Sequence, residues 1–400
     1  MSSSIKQILV MIRASLFSLP RRLAISISMA LSIALVVGVL AGFLSMAAGF
    51  EAALRAAGSP TVAVVLGGGT NQEMGSDIPA SVIRTLEAMR GDMGTTRDAA
   101  GNLVYSREIV VPVEVRQEGS ETAKMLALRG MDSTGPSLRD GVTLSAGRYP
   151  RVGSRDIVVG DRLAKGARSL AIGQQVRLGP VEWMVVGHFS ANGSAFESEI
   201  WGDLDAVRSA FDRQGEVQSM RLRLIEPSSI RQLQAALGGI TVSPLVAVSE
   251  VDLYSAQSSG TANLIRMFGW PIALLMALGA TAGALNTMMS SVSDRAVEIA
   301  TVRALGFSRL SAFVATWVEA ILLSAMGAMI GVAASWILFN GWQASTIGAN
   351  NTSMAFQLTV DRGVIAIAGL LGLAIGVIGG ALPALSATRL PLTAALRARG

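Results

Sequence analysis

The sequence predicts an α-helical membrane protein with four transmembrane helices, arranged one plus three, and a large α+β extracytoplasmic domain inserted between helices 1 and 2. Three observations predict it. Four long runs, Leu23–Phe50, Met267–Ser293, Phe313–Trp342 and Gly363–Thr388, contain one charged residue between them, Glu319. The interval 51–266 instead mixes short Val-rich stretches with amphipathic ones. The basic residues gather in short patches beside the apolar runs.

Composition supports the same class. Of 400 residues, 51% are hydrophobic and 15% charged, where a soluble domain carries about 25% charged residues. Mean hydropathy is +0.50. The net charge of +5 does not point to nucleic acid, because aromatic residues are scarce and not interleaved with Lys or Arg. There is no cysteine, so disulfides and thiolate metal sites are excluded and an exported domain must fold on its core alone.

The elements follow in order. Residues 1–22 form a cytoplasmic N-terminal segment with Lys6, Arg13, Arg21 and Arg22 and no acid. The run 23–50 exceeds the roughly 20 residues that cross a bilayer and the 7–15 of a signal-peptide core, so it is read as a retained anchor. The domain 51–262 holds strand-like runs at 61–66, 108–115, 124–130, 156–160, 181–189 and 217–225, several of them alternating. Helices are expected at 79–89, with Pro79 in the first turn, at 203–213 opened by Asp203, and at 229–237, where Ser229 and Gln232 have capping-box spacing. Together these suggest α+β, or two α/β-type subdomains. Three further spans, 263–290, 311–340 and 363–387, are separated by a charged segment at 291–310 and a short periplasmic loop at 341–362; a cytoplasmic tail, 388–400, closes the chain. The three cytoplasmic pieces hold ten basic residues and two acids, a net +8, which leaves −3 for the rest. The positive-inside rule therefore places both termini and 291–310 in the cytoplasm.

Few residues suggest catalysis. The stretch LGGGTNQEMGS (66–76) lacks the Gly-Lys-Ser/Thr ending of a phosphate loop and is read as a flexible surface loop. No other stretch matches a phosphate loop. His188 is the only histidine; without partners it is expected to be a structural residue at a strand edge. Glu197 and Glu199 sit in SANGSAFESEIW (190–201), read as a solvated loop.

The segment 291–310 is the most informative. Treated as a helix, 292–306 places Ala296, Val297, Ala300 and Ala304 on one side and Asp294, Arg295, Glu298 and Arg303 on much of the other, with Gly306 as a stop. It is an amphipathic helix able to lie on the membrane surface, or a solvated turn whose arginines anchor two spans. Glu319 is the one acid well inside a span. It either faces a protein seam or wet cavity, or snorkels to the inner interface. The small-residue spacings GAMIG (327–331) and GVIGG (376–380) permit close helix contact.

The stretch 286–332 resembles the signature of MacB/FtsX/LolC-type ABC transporter permeases, an Arg-x-x-Glu-Ile-x-x-x-Arg-Ala-Leu-Gly segment filled here by Arg295, Glu298, Ile299, Arg303, Ala304, Leu305 and Gly306. The closing segment 382–400 is similar through Pro383, Ala384, Ala387, Pro391, Ala395, Leu396 and Arg397, and 147–189 resembles part of the family's external domain. The resemblance implies a non-catalytic permease subunit in a bacterial inner membrane. It implies a dimer with a second permease copy, identical or different, clasped by a separate cytoplasmic ATPase that uses ATP and magnesium, with no cofactor bound by this chain. Asp294, Arg295, Glu298, Ile299, Arg303, Ala304, Leu305 and Gly306 would then form the ATPase-coupling segment. The expected function is export or extrusion of a peptide, a lipid or lipoprotein, or a toxic compound, with membrane lipids and a periplasmic adaptor or membrane-fusion protein as further partners. An FtsX-like signalling subunit that regulates a cell-envelope enzyme is the alternative. A membrane-anchored enzyme is disfavoured, since no nucleophile–base set or metal cluster is found.

Overall fold

The computed structural model describes residues 2–18, 23–89, 92–116, 123–240, 243–348 and 352–389. The basic residues Arg21, Arg22, Arg397 and Arg399 and the motif residues Pro391, Ala395, Leu396 and Arg397 lie outside the described residues. The chain begins with helices α1 (Ser2–Ser18) and α2 (Leu23–Arg55), then β1 (Val62–Gly67), α3 (Ala80–Ala88), β2 (Tyr105–Arg116), β3 (Ala123–Met131), β4 (Thr143–Gly147), β5 (Asp156–Gly160) and α4 (Asp161–Gly166). It continues through β6 (Gln175–Leu178), β7 (Val181–Ser190), β8 (Glu199–Asp203), α5 (Leu204–Ala210), β9 (Ser219–Arg223), α6 (Ile230–Gly238) and β10 (Leu245–Ser249). Helices α7 (Glu250–Asp294), α8 (Ala296–Ala304) and α9 (Arg309–Phe339), strands β11 (Gln343–Ile347) and β12 (Ser353–Gln357), and α10 (Arg362–Arg389) complete it.

The chain divides into two compact units. The first comprises Met1–Ala48, Asn263–Trp342 and Leu358–Gly400. Among the described residues, four helices are long and apolar enough to cross a membrane: Ser26–Arg55, Glu250–Asp294, Arg309–Phe339 and Arg362–Arg389. Helix α2 buries Met29, Ile33, Val37 and Leu40 against Ala273, Ala277 and Ala284 of α7, Leu323 of α9 and Ala368 and Ile375 of α10. Glycines set the approach of these helices. A methyl group at Gly327 would lie 2.5 Å from the Ala30 carbonyl oxygen, one at Gly331 2.6 Å from that of Ala34, and one at Gly380 2.4 Å from the Ala320 Cβ. The small-residue spacings of α9 and α10 therefore mark real helix seams.

The second unit comprises Gly49–Ala262 and Gln343–Gln357. Its ten-stranded sheet has the order β10-β1-β9-β2-β3-β8-β5-β7-β4, with β6 paired to β7. Pairing is antiparallel except for β3–β8 and β5–β7. The two larger apolar cores share this one sheet. Ile109, Val111, Val113, Leu128, Val159 and Trp183 form one; Ala63, Val65, Ile83, Met220, Leu222 and Leu233 form the other, beneath α3 and α6. Strand alternation puts the intervening residues of β2, β3, β8 and β9 on the opposite face, and those include charges.

Several local expectations need correction. Residues 66–76 are not a free surface loop: Gly67 donates its N–H to Ser76 Oγ at 2.8 Å, and Glu73 is 1% exposed. Residues 190–201 are not a solvated loop. The Glu197 carboxylate accepts from the Ala191 and Gly193 N–H groups, both at 2.9 Å, and Glu199 opens β8. His188 does not sit at a strand edge, because β7 pairs there with both Val159 of β5 and Ala146 of β4; its Nε2 lies 2.8 Å from the Leu170 carbonyl oxygen. Ser229 makes no capping bond, since a one-turn helix at Pro227–Ser229 already gives it helical angles (φ −64, ψ −13). Pro79 precedes α3 as its cap instead of lying in the first turn. Asp203 does cap α5, accepting from Ala206 N–H at 3.1 Å.

The expected loop at 341–362 contains the hairpin β11–β12, which belongs to the second unit. Phe356 is fully buried edge-on to Phe50, with ring centroids 5.6 Å apart. The Ala355 carbonyl accepts from Arg162 Nη1 at 2.8 Å.

Candidate functional site

The segment between α7 and α9 is built by two interruptions. Helix α7 continues through Asp294, so 292–294 do not belong to the surface helix as expected. Arg295 (φ −102, ψ 9) breaks the helical path and precedes α8. Gly306 ends it with φ +98, a conformation that favours glycine. Ser308 then caps α9, accepting from Ser311 N–H at 3.2 Å.

The faces of α8 differ from the sequence reading. Ile299 and Ala300 are buried, whereas Asp294, Val297, Glu298, Ala304 and Leu305 are exposed, Glu298 with 66% of its side chain and Leu305 at 76%. Arg303 is half-buried. Arg295 does not join the exposed charges. Its Nη1 donates to Glu319 Oε2 at 2.9 Å and to Ser15 Oγ at 2.8 Å, while the Ser15 hydroxyl donates to the same carboxylate oxygen. Glu319 is 3% exposed, buried in a seam against Arg295 and Ser15. The Arg295–Glu298 pair at i,i+3 forms loosely, at 3.6 Å.

Ser15 was missed in the sequence because α1 carries no strong pattern, yet this helix packs along α9. Gln7, Ile8, Met11 and Ser15 lie on the partly or fully buried side, and Leu9, Val10, Arg13 and Phe17 are exposed.

A second concentration of charge lies in the other unit. Arg129 of β3 bonds Glu73 at 2.9 Å, Glu108 at 3.0 Å and Glu199 at 2.7 Å. Arg221 of β9 bonds Glu250 at 3.0 Å, Glu73 at 3.1 Å and also Glu108. Arg139 meets Glu108 at 2.7 Å and lies over the Phe196 and Trp201 rings, at 5.0 and 5.1 Å. Burial alone would raise the Glu73 and Glu108 carboxyls. Arg129 and Arg221 hold Glu73 well below the usual carboxylate range, and Arg139, Arg221 and Arg129 lower Glu108. Each of these arginines is paired with at least one buried carboxylate, which gives the network a structural role. Its sequence signal was a charge inside apolar strand runs: Glu108 in REIVVPVEV, Arg129 in MLALRG and Arg221 in SMRLRL.

Long apolar helices and a mixed α+β unit define a multi-pass membrane protein carrying a large folded domain. Residues 26–240 match the MacB-like periplasmic core domain and residues 270–392 the FtsX-like permease C-terminal region. The first match alone spans more than half of the chain, which belongs to the MacB-like, FtsX-like family of ABC transporter permeases of the bacterial inner membrane. Curated relatives include the macrolide export ATP-binding/permease protein MacB of Bordetella avium, 23% identical over 360 residues, covering 82% of this chain and 54% of the relative. The protein of the same name from Acinetobacter baylyi is 25% identical over 279 residues, 66% of this chain and 40% of the relative. The chain thus spans about half the length of the curated relatives it matches. Solved structures with some likeness include the periplasmic region of MacB from Actinobacillus actinomycetemcomitans (TM-score 0.38, 13% identity, 51% of this chain and 94% of that one). Another is the extracellular domain of the noncanonic ABC-type transporter YknZ from Gram-positive bacteria (TM-score 0.34, 14% identity, 47% and 100%).

Proposed function

We propose that this chain is the permease subunit of a MacB/FtsX-type ABC transporter, with both termini in the cytoplasm and α8 as the contact with a separate cytoplasmic ATPase. The observation that carries this reading is α8 itself: a nine-residue helix between two long apolar helices, exposing Glu298 beside Val297 and Leu305. Such a surface combines a charge that fixes register with apolar area that holds a partner groove. ATP and magnesium belong to the ATPase, and the reaction this chain supports is mechanical. Displacement of α8 moves the permease and its periplasmic domain, driving export or extrusion of a peptide, a lipid or lipoprotein, or a toxic compound. A second permease copy and a periplasmic adaptor complete the proposed assembly.

The test is Glu298→Arg in the full chain. Charge reversal at a desolvated contact costs several kcal/mol, so ATPase co-purification from membranes is expected to fall sharply and coupled activity to vanish. Membrane insertion is expected to be unchanged, because Glu298 is exposed. Wild-type ATPase recovery together with full coupled activity would refute the assignment.

A further inference from the structure

Helix α1 bonds to the polypeptide at both ends of α8. At the first end stands the Arg295–Ser15–Glu319 triad. At the second, the Ser308 N–H points at Gln7 Oε1 across 3.4 Å, a long hydrogen bond. Between Gln7 and Ser15 on the same side of α1, Met11 packs against Val292, Ile299, Ala312 and Ala387. The three contacts tie α1 to the end of α7, to α8, and to the starts of α9 and its Glu319 turn.

We propose that α1 is a strap that sets the position of α8, with Arg295, Glu319 and Ser15 as the positioning residues that latch it. The latch is built for two discrete states. Ser15 and Glu319 are 2% and 3% exposed, so an opened latch leaves an unpaired acid inside a span, where charge is costly. A packed polar lock of this kind opens or stays shut and does not stretch by degrees. The far end of α8 is held less firmly, through the long Ser308–Gln7 bond. Space around Gly306 is open, with no atom within 4 Å of an added Cβ. A load on the exposed part of α8 therefore turns it about Arg295 and is delivered to α9 through Glu319 and to α1 through Ser15. The geometry of the strap stands by itself; its meaning for coupling rests on the proposed role of α8.

Two cysteines in this cysteine-free chain give the direct test. Spin labels at Leu9 on α1 and Thr301 on α8, both exposed, report their separation in the full chain reconstituted in phospholipid nanodiscs without any ATPase. The latched protein is expected to give one narrow distance distribution. Arg295→Gln and Glu319→Gln are each expected to widen it about twofold, since either change releases the two-state lock. Arg295→Lys is expected to keep it narrow, because the two latch bonds of Arg295, to Ser15 and Glu319, come from the single nitrogen Nη1, which an ammonium group can replace. A merely space-filling role would not separate Lys from Gln in this way. Wild-type width in both Gln variants would overturn the latch, as would equal broadening by Lys and Gln. Should the Gln variants be lost from membranes, Ser15→Ala decides: broadening supports the strap and an unchanged width overturns it. None of these outcomes depends on an ATPase, so failure of the latch and failure of the coupling assignment at Glu298 are distinguishable.

Discussion

At the scale of the residue, the second unit concentrates its risk in a few buried charges. Glu108 faces Arg139, Arg129 and Arg221 together. Removing one partner of a buried pair leaves the others uncompensated and costs about 3–5 kcal/mol. Glu108→Gln is therefore expected to destabilise the unit by that order, seen as lost hydrogen-exchange protection in β2 and β3. Arg148→Ala removes a half-exposed partner of Asp156 and is expected to cost less than about 1 kcal/mol. The same residues fix a pH dependence. Glu73 and Glu108 have an ordinary value of 4.5 and are held below it in the fold; Asp156 starts at 3.8, and although burial opposes it, hydrogen bonds from Arg148, Ser154 and Arg151 bring it to about 2. Folded carboxyls with depressed values bind fewer protons than unfolded ones in acid, so their contribution is complete above the unfolded values and disappears as pH falls through the folded ones. Protection of β2 and β3 is expected to be insensitive to these three groups at neutral pH and to decline below about pH 4.5. Protection that stayed flat into strong acid would contradict the ionised network.

At the scale of the element, glycine positions decide how the apolar helices meet. Gly331→Leu would drive a side chain into the Ala34 carbonyl and the Val37 side chain, whose nearest atoms already lie 2.6 and 2.8 Å from an added Cβ. Overpacking of this kind costs about 1–3 kcal/mol. The expected result is a lower thermal aggregation temperature and lower yield in detergent. Gly369→Ala, with nothing within 4 Å, is expected to leave both unchanged. Equal behaviour of the two variants would mean that α2 and α9 do not meet at this seam. Elements of this kind were legible where one local pattern decided them. The apolar runs gave long helices because nothing in them competes with burial, and the Val-rich runs gave β1, β2, β3, β5, β7 and β9 because alternation and β-propensity agree. Strands β4, β6, β8, β10, β11 and β12 were not legible: several, such as β8 with Glu199 and β11 with Ser345, are polar enough to read as loop, and β8 is a strand because it pairs with β3 and β5, β11 and β12 because they pair with each other. The candidate site was half legible. Family likeness and charge located α8, but the inward turn of Arg295 depends on Ser15 and Glu319, 280 and 24 residues away in sequence, which local periodicity cannot supply. The buried network escaped for the same reason, since Glu73 looks solvated until Arg129 and Arg221 arrive from other strands.

At the scale of the whole molecule, charge distribution gives an expected sidedness, and the proposed function depends on it. Lys6 and Arg13 lie on α1, Arg295, Arg303 and Arg309 on and around α8, and Arg389 at the end of α10, whereas the residues outside the three basic pieces carry net negative charge. Short basic segments beside apolar helices resist translocation, while a long folded domain crosses with little regard to its own charge. Single cysteines in a cysteine-free chain report this without background. Val152→Cys lies on the second unit, 74% exposed, and Thr301→Cys lies on the exposed side of α8. In cells with an intact inner membrane and a permeabilised outer one, a membrane-impermeant maleimide is expected to label position 152 and to spare position 301 until detergent is added. Thr301 must be shielded by the bilayer and not by packing, so its labelling in detergent is an essential half of the result. Labelling of both positions from outside, or of neither without detergent, would put α8 and the second unit on one side. A cytoplasmic ATPase could not then act on the one while the other works in the periplasm, and the coupling assignment would fall with the topology.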